Sequence, residues 1–301
     1  MLAVKIVLFG KNGQVGWELQ RSLAPLGELV ALDRHSLNYC GDLSNLAGIR
    51  ETVRALRPDV IVNAAAYTAV DKAETETELA HMINALAPSA LAEEAKNCGA
   101  FLLHYSTDYV FDGSGDQAWR EGDSVAPLSV YGQTKLAGEQ AIQASGCEYL
   151  IFRTSWVYAA RGNNFAKTML RLAQEREQLS VINDQIGAPT GAELLADVSA
   201  HAIRTAIQNP ELTGIYHLAA AGETSWYDYA HFVLDYARQS GMALKTSKQA
   251  VTAIPTTHYP TPAQRPLNSR LNTEKLKSAF DLRLPNWQTG VERMLNEIYG
   301  K

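Results

Sequence analysis

The chain has 301 residues and is 46% hydrophobic and 20% charged, ordinary values for a soluble globular protein with one large domain or two modest ones. Its net charge of −5 argues against a nucleic-acid-binding surface, which would need a basic face. Its cysteines, Cys40, Cys98 and Cys147, form no Cys-x-x-Cys pair, so neither a disulfide framework nor a zinc site is indicated. The N-terminal apolar run is short and contains Lys5, and no stretch has the length of a membrane span, so we expect a cytoplasmic protein.

Strand and helix patterns alternate through the first half of the chain. Apolar runs rich in β-branched residues predict strands at 4–9, 28–32, 59–63, 100–105 and 148–153. Helical spacing predicts helices at 14–23, 46–56, 79–98 and 130–144, with Pro88 in the first turn of a second helix inside the third of these stretches. Asp71-Lys-Ala-Glu74 fits a capping box that would open a helix. This alternation predicts an α/β fold, a doubly wound parallel sheet of Rossmann type.

The pattern changes after about residue 155. Helices are predicted at 162–176, 192–205, 226–237 and 286–299, strands at 179–182 and 214–218, and an ordered Pro- and Thr-rich loop at 252–266. We expect residues 1–185, with a return segment at about 190–220, to form a dinucleotide-binding domain. Residues 221–301 would mainly form a smaller substrate-binding lobe over the carboxyl edge of the sheet.

A glycine-rich turn, Gly10-Lys-Asn-Gly13-Gln-Val-Gly16, lies between the first predicted strand and the first predicted helix. Its glycines allow a tight turn, and the backbone N–H groups at the start of the helix can bind a pyrophosphate. A glycine turn after a strand can also be purely structural. Its position between a strand and a helix favours a dinucleotide site.

An acidic residue, Asp33, follows the second predicted strand, where a carboxylate would bind the adenosine ribose and favour NADH. Arg34 follows it and could accept a 2′-phosphate, so the pair leaves NADH and NADPH open. Asp42 and Leu43 fall in the next loop, where they could border the adenine. The small residues 64–66 after the third strand would let the chain pass close to a flat dinucleotide.

Tyr131 and Lys135 lie four positions apart in a predicted helix and therefore share one of its faces. The lysine charge favours the phenolate, so we expect the pKa of Tyr131 to lie below its usual value of about 10. Tyr131 could protonate a substrate carbonyl, and Thr107, at the end of the preceding strand, could donate a hydrogen bond to the same oxygen. The structural alternatives are a turn-capping hydroxyl for Thr107 and a solvated helix lysine for Lys135.

Three of these motifs resemble those of the extended short-chain dehydrogenase/reductases: the glycine turn, residues 106–113 and Tyr131-x-x-x-Lys135. Further segments are similar to the dTDP-4-dehydrorhamnose reductase family, at residues 62–74, 153–158, 162–165, 183–190 and 265–271. Sugar-nucleotide dehydratases of the same fold typically carry Asp-Glu after the threonine. Here Tyr109 follows Asp108, which disfavours loss of water.

The resemblance implies NAD(P)H-dependent reduction of the C4 ketone of dTDP-4-dehydro-β-L-rhamnose, which supplies a precursor for cell-surface polysaccharides such as lipopolysaccharide. It implies that Tyr131 donates the proton, Lys135 binds the nicotinamide ribose and Thr107 steadies the reacting oxygen. Asp108 and Trp156 would contact the sugar. The cofactor site implied in this way consists of Gly10, Gly13, Gln14, Val15, Gly16, Asp33, Asp42, Leu43, Ala66, Tyr67, Thr68, Tyr105, Tyr131 and Lys135.

Charged residues elsewhere in the sequence are candidates for binding the substrate diphosphate and a metal ion. Arg265 could bind the substrate diphosphate, and packing of the C-terminal loop is an equal alternative for it. The resemblance also implies Mg²⁺ that bridges a homodimer through Glu18, Glu193 and Glu297, although their spacing suggests no metal. The seven histidines show no ligand spacing, and we expect His104 to be a core residue rather than a catalyst.

Two other functions remain open from the sequence. An NDP-sugar epimerase would use the same tyrosine and lysine but would keep its NAD tightly bound. A non-catalytic NAD(P)-binding regulatory subunit would not need Tyr131, Lys135 and Thr107 together, so their presence argues against it. The expected partner is a dTDP-sugar substrate, with no nucleic acid and no membrane.

Overall fold

The computed structural model of the chain describes residues 4–299. Its strands, in chain order, are Val4–Phe9 (β1), Gly27–Leu32 (β2), Val60–Asn63 (β3), Phe101–Thr107 (β4), Tyr149–Thr154 (β5), Val157–Tyr158 (β6), Leu179–Ile182 (β7), Ile186–Gly187 (β8), Thr190–Gly191 (β9), Gly214–His217 (β10), Thr224–Ser225 (β11) and Val251–Ile254 (β12). The α-helices are Gln14–Leu23 (α1), Leu46–Leu56 (α2), Val70–Ala73 (α3), Thr77–His81 (α4), Ala87–Cys98 (α5), Val130–Ser145 (α6), Phe165–Glu175 (α7), Ala192–Ala206 (α8), Trp226–Gln239 (α9), Glu274–Phe280 (α10) and Trp287–Tyr299 (α11).

Six strands form a parallel central sheet in the order β10-β5-β4-β3-β1-β2. Side chains alternate across β1, so Ile6 and Leu8 enter one core with α1, α8 and α10, whereas Val7 and Phe9 enter a second core with α2 and α5. Both faces of the sheet are therefore covered, as in a doubly wound fold. The predicted fold class is confirmed.

A third core lies in the second half of the chain. It joins α7, α9 and α11 through side chains such as Leu170, Val233 and Leu295. The pair β7 and β12 contributes Val181 and Val251 to the same core. Phe165 of α7 and Trp226 of α9 pack against this core.

Most predicted elements occur within a few residues of their expected bounds, and Pro88 does lie in the first turn of α5. The capping box is wrong: Asp71 lies inside α3, whose N-cap is Ala69 with no side-chain hydrogen bond. The loop predicted at 252–266 is also partly wrong, because its first residues belong to β12, which pairs with β7. Within residues 4–299, no helix is long and apolar enough to cross a membrane.

Candidate active site

A cleft of about 810 Å³ opens at the carboxyl ends of β1, β3, β4 and β5, next to the point where the strand order reverses. The predicted site residues that line it are Gly10, Gly13, Gln14, Val15, Ala66, Thr68, Tyr105, Thr107, Asp108, Tyr131, Lys135, Trp156 and Arg265. The cleft therefore brings together residues from both halves of the chain. Its lining does not include Gly16, Asp33, Asp42, Leu43, Tyr67 or the three glutamates.

The glycine turn forms one end of this cleft. Gly10 has φ +92°, and a Cβ there would lie 2.7 Å from the backbone nitrogen of Ala65, so a side chain is excluded on both counts. A Cβ at Gly16 would lie 2.0 Å from the Gly10 carbonyl oxygen, so Gly16 serves the close packing of α1 on the turn. Gly13 is the N-cap of α1 and supplies no side-chain cap, which leaves the N–H groups of that helix end available to an anion.

Asp33 lies beside the glycine turn at the end of β2. Its carboxylate accepts hydrogen bonds from the Asn12 side chain, from the His35 backbone N–H at 2.9 Å and from the Ser36 hydroxyl at 3.1 Å. Burial acts to raise the pKa of Asp33, but the hydrogen bonds from His35 and Ser36 together with nearby positive charge such as Lys11 outweigh it, so the pKa is lowered and the group is ionised. The carboxylate is ordered next to the turn without lining the cleft itself.

Thr107 and Tyr131 lie together in the cleft. Thr107 accepts a hydrogen bond from the Tyr109 backbone N–H at 3.2 Å and donates its own proton to the Asp108 carboxylate at 3.1 Å. It therefore caps a turn, as its structural alternative requires, while it also faces the cleft. Burial raises the pKa of Tyr131 to about 12, with Thr107 lowering it and the Asp108 charge raising it further.

This result contradicts the expected lowering of the Tyr131 pKa by Lys135. The Lys135 amino group donates to the backbone carbonyl of Tyr105 at 2.6 Å and lies 3.2 Å from Nε2 of His104. Lys135 is 2% exposed, so it is not a solvated helix lysine. Burial lowers its pKa to about 8, against the charge of Glu139, which raises it.

Asp108 is a buried carboxyl group in the same cleft. Burial raises its pKa to about 6, although hydrogen bonds with Ser269 and Thr107 act to lower it. Its Oδ2 atom is buried without a hydrogen-bond partner. Buried polar atoms are normally paired, so this oxygen is left able to accept a further hydrogen bond.

An aromatic wall closes the far side of the cleft. The Trp156 ring stacks on Trp226 with centroids 3.5 Å apart and an angle of 13° between the planes. Trp156 has φ +50°, a strained backbone conformation for a large side chain. A Cβ at Gly187 would lie 2.8 Å from the Trp156 ring, so this glycine makes room for it. The sequence reasoning missed Trp226 and Phe165, because no spacing links either of them to Trp156.

Arg265 lies where the cleft meets a second cavity of about 660 Å³. Its Nη2 donates to the Asp71 carboxylate at 2.8 Å, whereas Nη1 is buried without a hydrogen-bond partner. The two cavities share Tyr109, Phe165, Trp226 and Arg265 in their linings. A ligand with two parts could therefore occupy both cavities past this arginine.

The three glutamates lie elsewhere, around a cavity of about 230 Å³. Burial and then the charge of Glu193 raise the pKa of Glu18, whereas Glu193 itself pairs with Arg293 at 2.8 Å. Within residues 4–299, no group of three or more His, Cys, Asp or Glu side chains is placed to hold a metal ion. Glu18, Glu193 and Glu297 of a single chain therefore do not fit a metal site.

The fold and the cleft can be compared with known proteins. A family model described as the RmlD substrate binding domain matches residues 4–299. The dTDP-4-dehydrorhamnose reductase of Escherichia coli K12 is 64% identical, over 98% of this chain and 98% of that protein. The protein of the same name from Burkholderia thailandensis is 45% identical, over 98% of this chain and 99% of that protein.

Two solved structures of proteins with this name are also similar to the chain. The dTDP-4-dehydrorhamnose reductase from Bacillus anthracis in complex with NADP is 36% identical and superposes with a TM-score of 0.87, over 99% of this chain and 100% of that chain. An orthologue from Clostridium acetobutylicum is 36% identical with a TM-score of 0.87, over 98% and 99%. The chain belongs to the dTDP-4-dehydrorhamnose reductase family.

Proposed function

We propose that this chain reduces the C4 ketone of dTDP-4-dehydro-β-L-rhamnose to dTDP-L-rhamnose with NADPH or NADH. The observation that carries the proposal is that Tyr131, Thr107 and Lys135 line the same cleft as the glycine turn at Gly10 and Gly13. The relatives that share this architecture are named for this reductase activity, and one of them was solved with NADP.

The cleft fits a dinucleotide because its glycine turn excludes side chains and leaves a helix N-terminus uncapped. The coenzyme, when bound, supplies the hydride. The α1 N-terminus binds the pyrophosphate, and the remaining N–H of the Lys135 amino group binds the nicotinamide ribose. Tyr131 and Thr107 orient the ketone oxygen from one side of the cleft.

The charge states of the cleft suit a reduction. A pKa of about 12 keeps Tyr131 protonated at neutral pH, so the phenol is ready to donate its proton to the oxygen that gains charge. The Thr107 hydroxyl can turn from Asp108 to the same oxygen and stabilise that charge. The Lys135 ammonium then compensates the phenolate that the transfer leaves behind.

We assign the sugar to the space beside Asp108 and Trp156, and the nucleoside diphosphate to the adjoining cavity beyond Arg265. The unpaired Oδ2 of Asp108 would accept a sugar hydroxyl, and the unpaired Nη1 of Arg265 would bind the diphosphate. We also propose that residues 1–185, with about 190–220, form the coenzyme-binding domain, and that residues 221–301 mainly form the substrate lobe. Asp108, Trp156 and residues 165–185 of the first part would then line the substrate space as well.

The coenzyme preference rests on neighbouring groups of opposite charge. The ionised Asp33 favours a ribose with free hydroxyls, and Arg34 accommodates a 2′-phosphate, so we propose that both coenzymes are used. The remaining cofactor residues Gln14, Val15, Leu43 and Tyr67 would provide packing around the dinucleotide.

Assembly, metal and compartment are proposals that rest on the family resemblance. Because residues 4–299 of one chain offer no metal site, Mg²⁺ would need carboxylates from two chains of a homodimer. Sedimentation with and without a chelator tests this. The free thiols of Cys40, Cys98 and Cys147 are compatible with the reducing cytoplasm, where a lipopolysaccharide precursor would be made.

The test is an assay of coenzyme oxidation with dTDP-4-dehydro-β-L-rhamnose, followed by product identification with NMR. The control substrate is dTDP-glucose, which has no C4 ketone. We expect one dTDP-L-rhamnose for each coenzyme oxidised. Purified protein that retains stoichiometric NAD⁺ and oxidises no added coenzyme would instead support an epimerase.

A further inference from the structure

His104 connects the catalytic cleft to the interior of the sheet. It lies on β4 with 1% of its surface exposed. Its Nε2 is 3.2 Å from the Lys135 amino nitrogen, and its Nδ1 is 3.1 Å from the Asn63 side-chain amide on the neighbouring strand. The imidazole therefore spans the distance between β3 and the helix that carries Tyr131 and Lys135.

The Lys135 amino group is held by few contacts, of which this is one. The long side chain of this lysine is fully buried, and among the described residues its amino group has two hydrogen-bond partners. One is the backbone carbonyl of Tyr105, and the other is His104. His104 is thus the side chain that directs this nitrogen, and the third N–H is left to face the cleft.

The other charged groups around this lysine do not hydrogen-bond it. Glu139 lies one helical turn farther along α6, and its two carboxylate oxygens are engaged by Arg153 on β5. Asp108 is bonded by Thr107. Burial and the charge of Lys135 hold the pKa of His104 well below its usual value, so the imidazole is neutral and presents a lone pair as well as an N–H.

We propose that His104 is a positioning residue whose Nε2 atom holds the Lys135 amino group in place for the coenzyme and for Tyr131. The inference rests on the proposed function, because it assigns Lys135 to the nicotinamide ribose. It differs from the expectation that His104 only fills the core. Buried polar contacts of this kind fix a side chain in one arrangement, and a small displacement at a reacting centre is costly.

The direction of the two hydrogen bonds that His104 makes, with Lys135 and with Asn63, depends on the charge of Lys135. When Lys135 is an ammonium, Nε2 accepts a hydrogen bond from it, and Nδ1–H donates a hydrogen bond to the amide oxygen of Asn63. When Lys135 is a neutral amine, Nε2–H donates to it, and Nδ1 accepts from the Asn63 amide nitrogen. In the structure the Asn63 oxygen accepts the Ala65 N–H at 3.2 Å and its amide nitrogen faces Nδ1, so the ammonium arrangement requires this amide to turn over. In both arrangements Nε2 is hydrogen-bonded to the lysine nitrogen.

Two amide substitutions separate the two ends of the imidazole. In His104→Gln the amide reaches the place of Nε2 and can still bond Lys135. In His104→Asn the amide reaches only the place of Nδ1, so the contact with Asn63 is kept and the contact with Lys135 is lost. We expect NADPH to bind about tenfold more weakly to His104→Asn than to His104→Gln, the size of one lost hydrogen bond. We expect kcat to fall by about 100-fold in the Asn variant, as for a displaced catalytic group.

His217→Gln is the matched control, because His217 is also fully buried on the central sheet but bonds the Trp119 carbonyl away from the cleft. It should lower thermal stability and leave the NADPH Kd unchanged. His104→Leu replaces the Asn variant if that protein does not fold. Equal NADPH Kd and equal kcat in the Gln and Asn variants would overturn the proposal. The NADPH Kd needs no sugar substrate, so its result stands even if wild-type protein fails to reduce the proposed ketone.

Discussion

Glu139→Gln should destabilise the protein strongly, although Glu139 lies outside the cleft. Arg153 binds Glu139 through two parallel contacts, Nε to Oε1 at 3.0 Å and Nη2 to Oε2 at 2.7 Å. The two side chains are 4% and 1% exposed, and the guanidinium also lies 5.1 Å above the Phe111 ring centre. The amide would leave Arg153 buried without a counter-charge.

Removal of one partner from a buried ion pair costs about 3 to 5 kcal/mol of unfolding free energy. For a protein of this size that corresponds to a melting temperature lower by roughly 5 to 8 °C. Glu139 also raises the pKa of Lys135, which burial has brought down to about 8. Loss of the carboxylate should lower this pKa further, so the fall of kcat at alkaline pH should begin at a lower pH.

Urea unfolding and a pH–rate profile measure the two effects. Glu175→Gln is the matched control, because Glu175 pairs with Arg171 on an exposed helix surface, where the same change should cost well under 1 kcal/mol. Equal loss of stability in the two variants would show that the Arg153 pair is not stabilised by its burial. An unshifted alkaline limb would show that Glu139 does not act on Lys135.

Three further predictions concern the cleft. Tyr131→Phe should lower kcat by about 10²- to 10⁴-fold with little change in the NADPH Kd; unchanged turnover would mean that another group donates the proton. Asp33→Ala should lower kcat/KM with NADH about tenfold relative to NADPH, and undiminished use of NADH would exclude Asp33 from ribose binding. Between pH 8 and 10.5 the unfolded chain keeps a proton that native Lys135 has lost, so wild-type stability should rise by up to about 3 kcal/mol relative to Lys135→Met. Urea unfolding at both ends of this range checks the difference, and parallel pH dependence in the two proteins would refute it.

The sequence predicted the elements whose patterns are local. The helices at 14–23 and 46–56 have the predicted bounds, because apolar residues recur at helical spacing and the flanking residues end each helix. The strand β12 was missed because its stability comes from pairing with β7, far away in the chain. The short helix α10 was missed as well, since only Leu276 and Phe280 mark its buried side.

Many of the residues that line the cleft were predicted from motifs, but the charge states of its side chains were not. Spacing alone places Lys135 beside Tyr131 and suggests that the lysine acts on the phenol. In the fold, the Lys135 amino group hydrogen-bonds His104 and the backbone carbonyl of Tyr105. Burial is the largest cause of the shifted pKa values of both Tyr131 and Lys135. Such contacts depend on distances between strands and helices that no local pattern encodes. The same holds for Trp226, which reaches Trp156 only through the packing of α9.

The ion pair between Arg265 and Asp71 gives Arg265 a counter-charge within the protein, at the junction of the two cavities. Since Nη1 stays free while Nη2 is engaged, an incoming anion can dock without evicting the carboxylate. Asp71 also accepts the backbone N–H of Ala263, so its carboxylate joins the C-terminal loop to α3. In the proposed complex the substrate diphosphate would therefore bind Arg265 through Nη1, with the ion pair to Asp71 left intact.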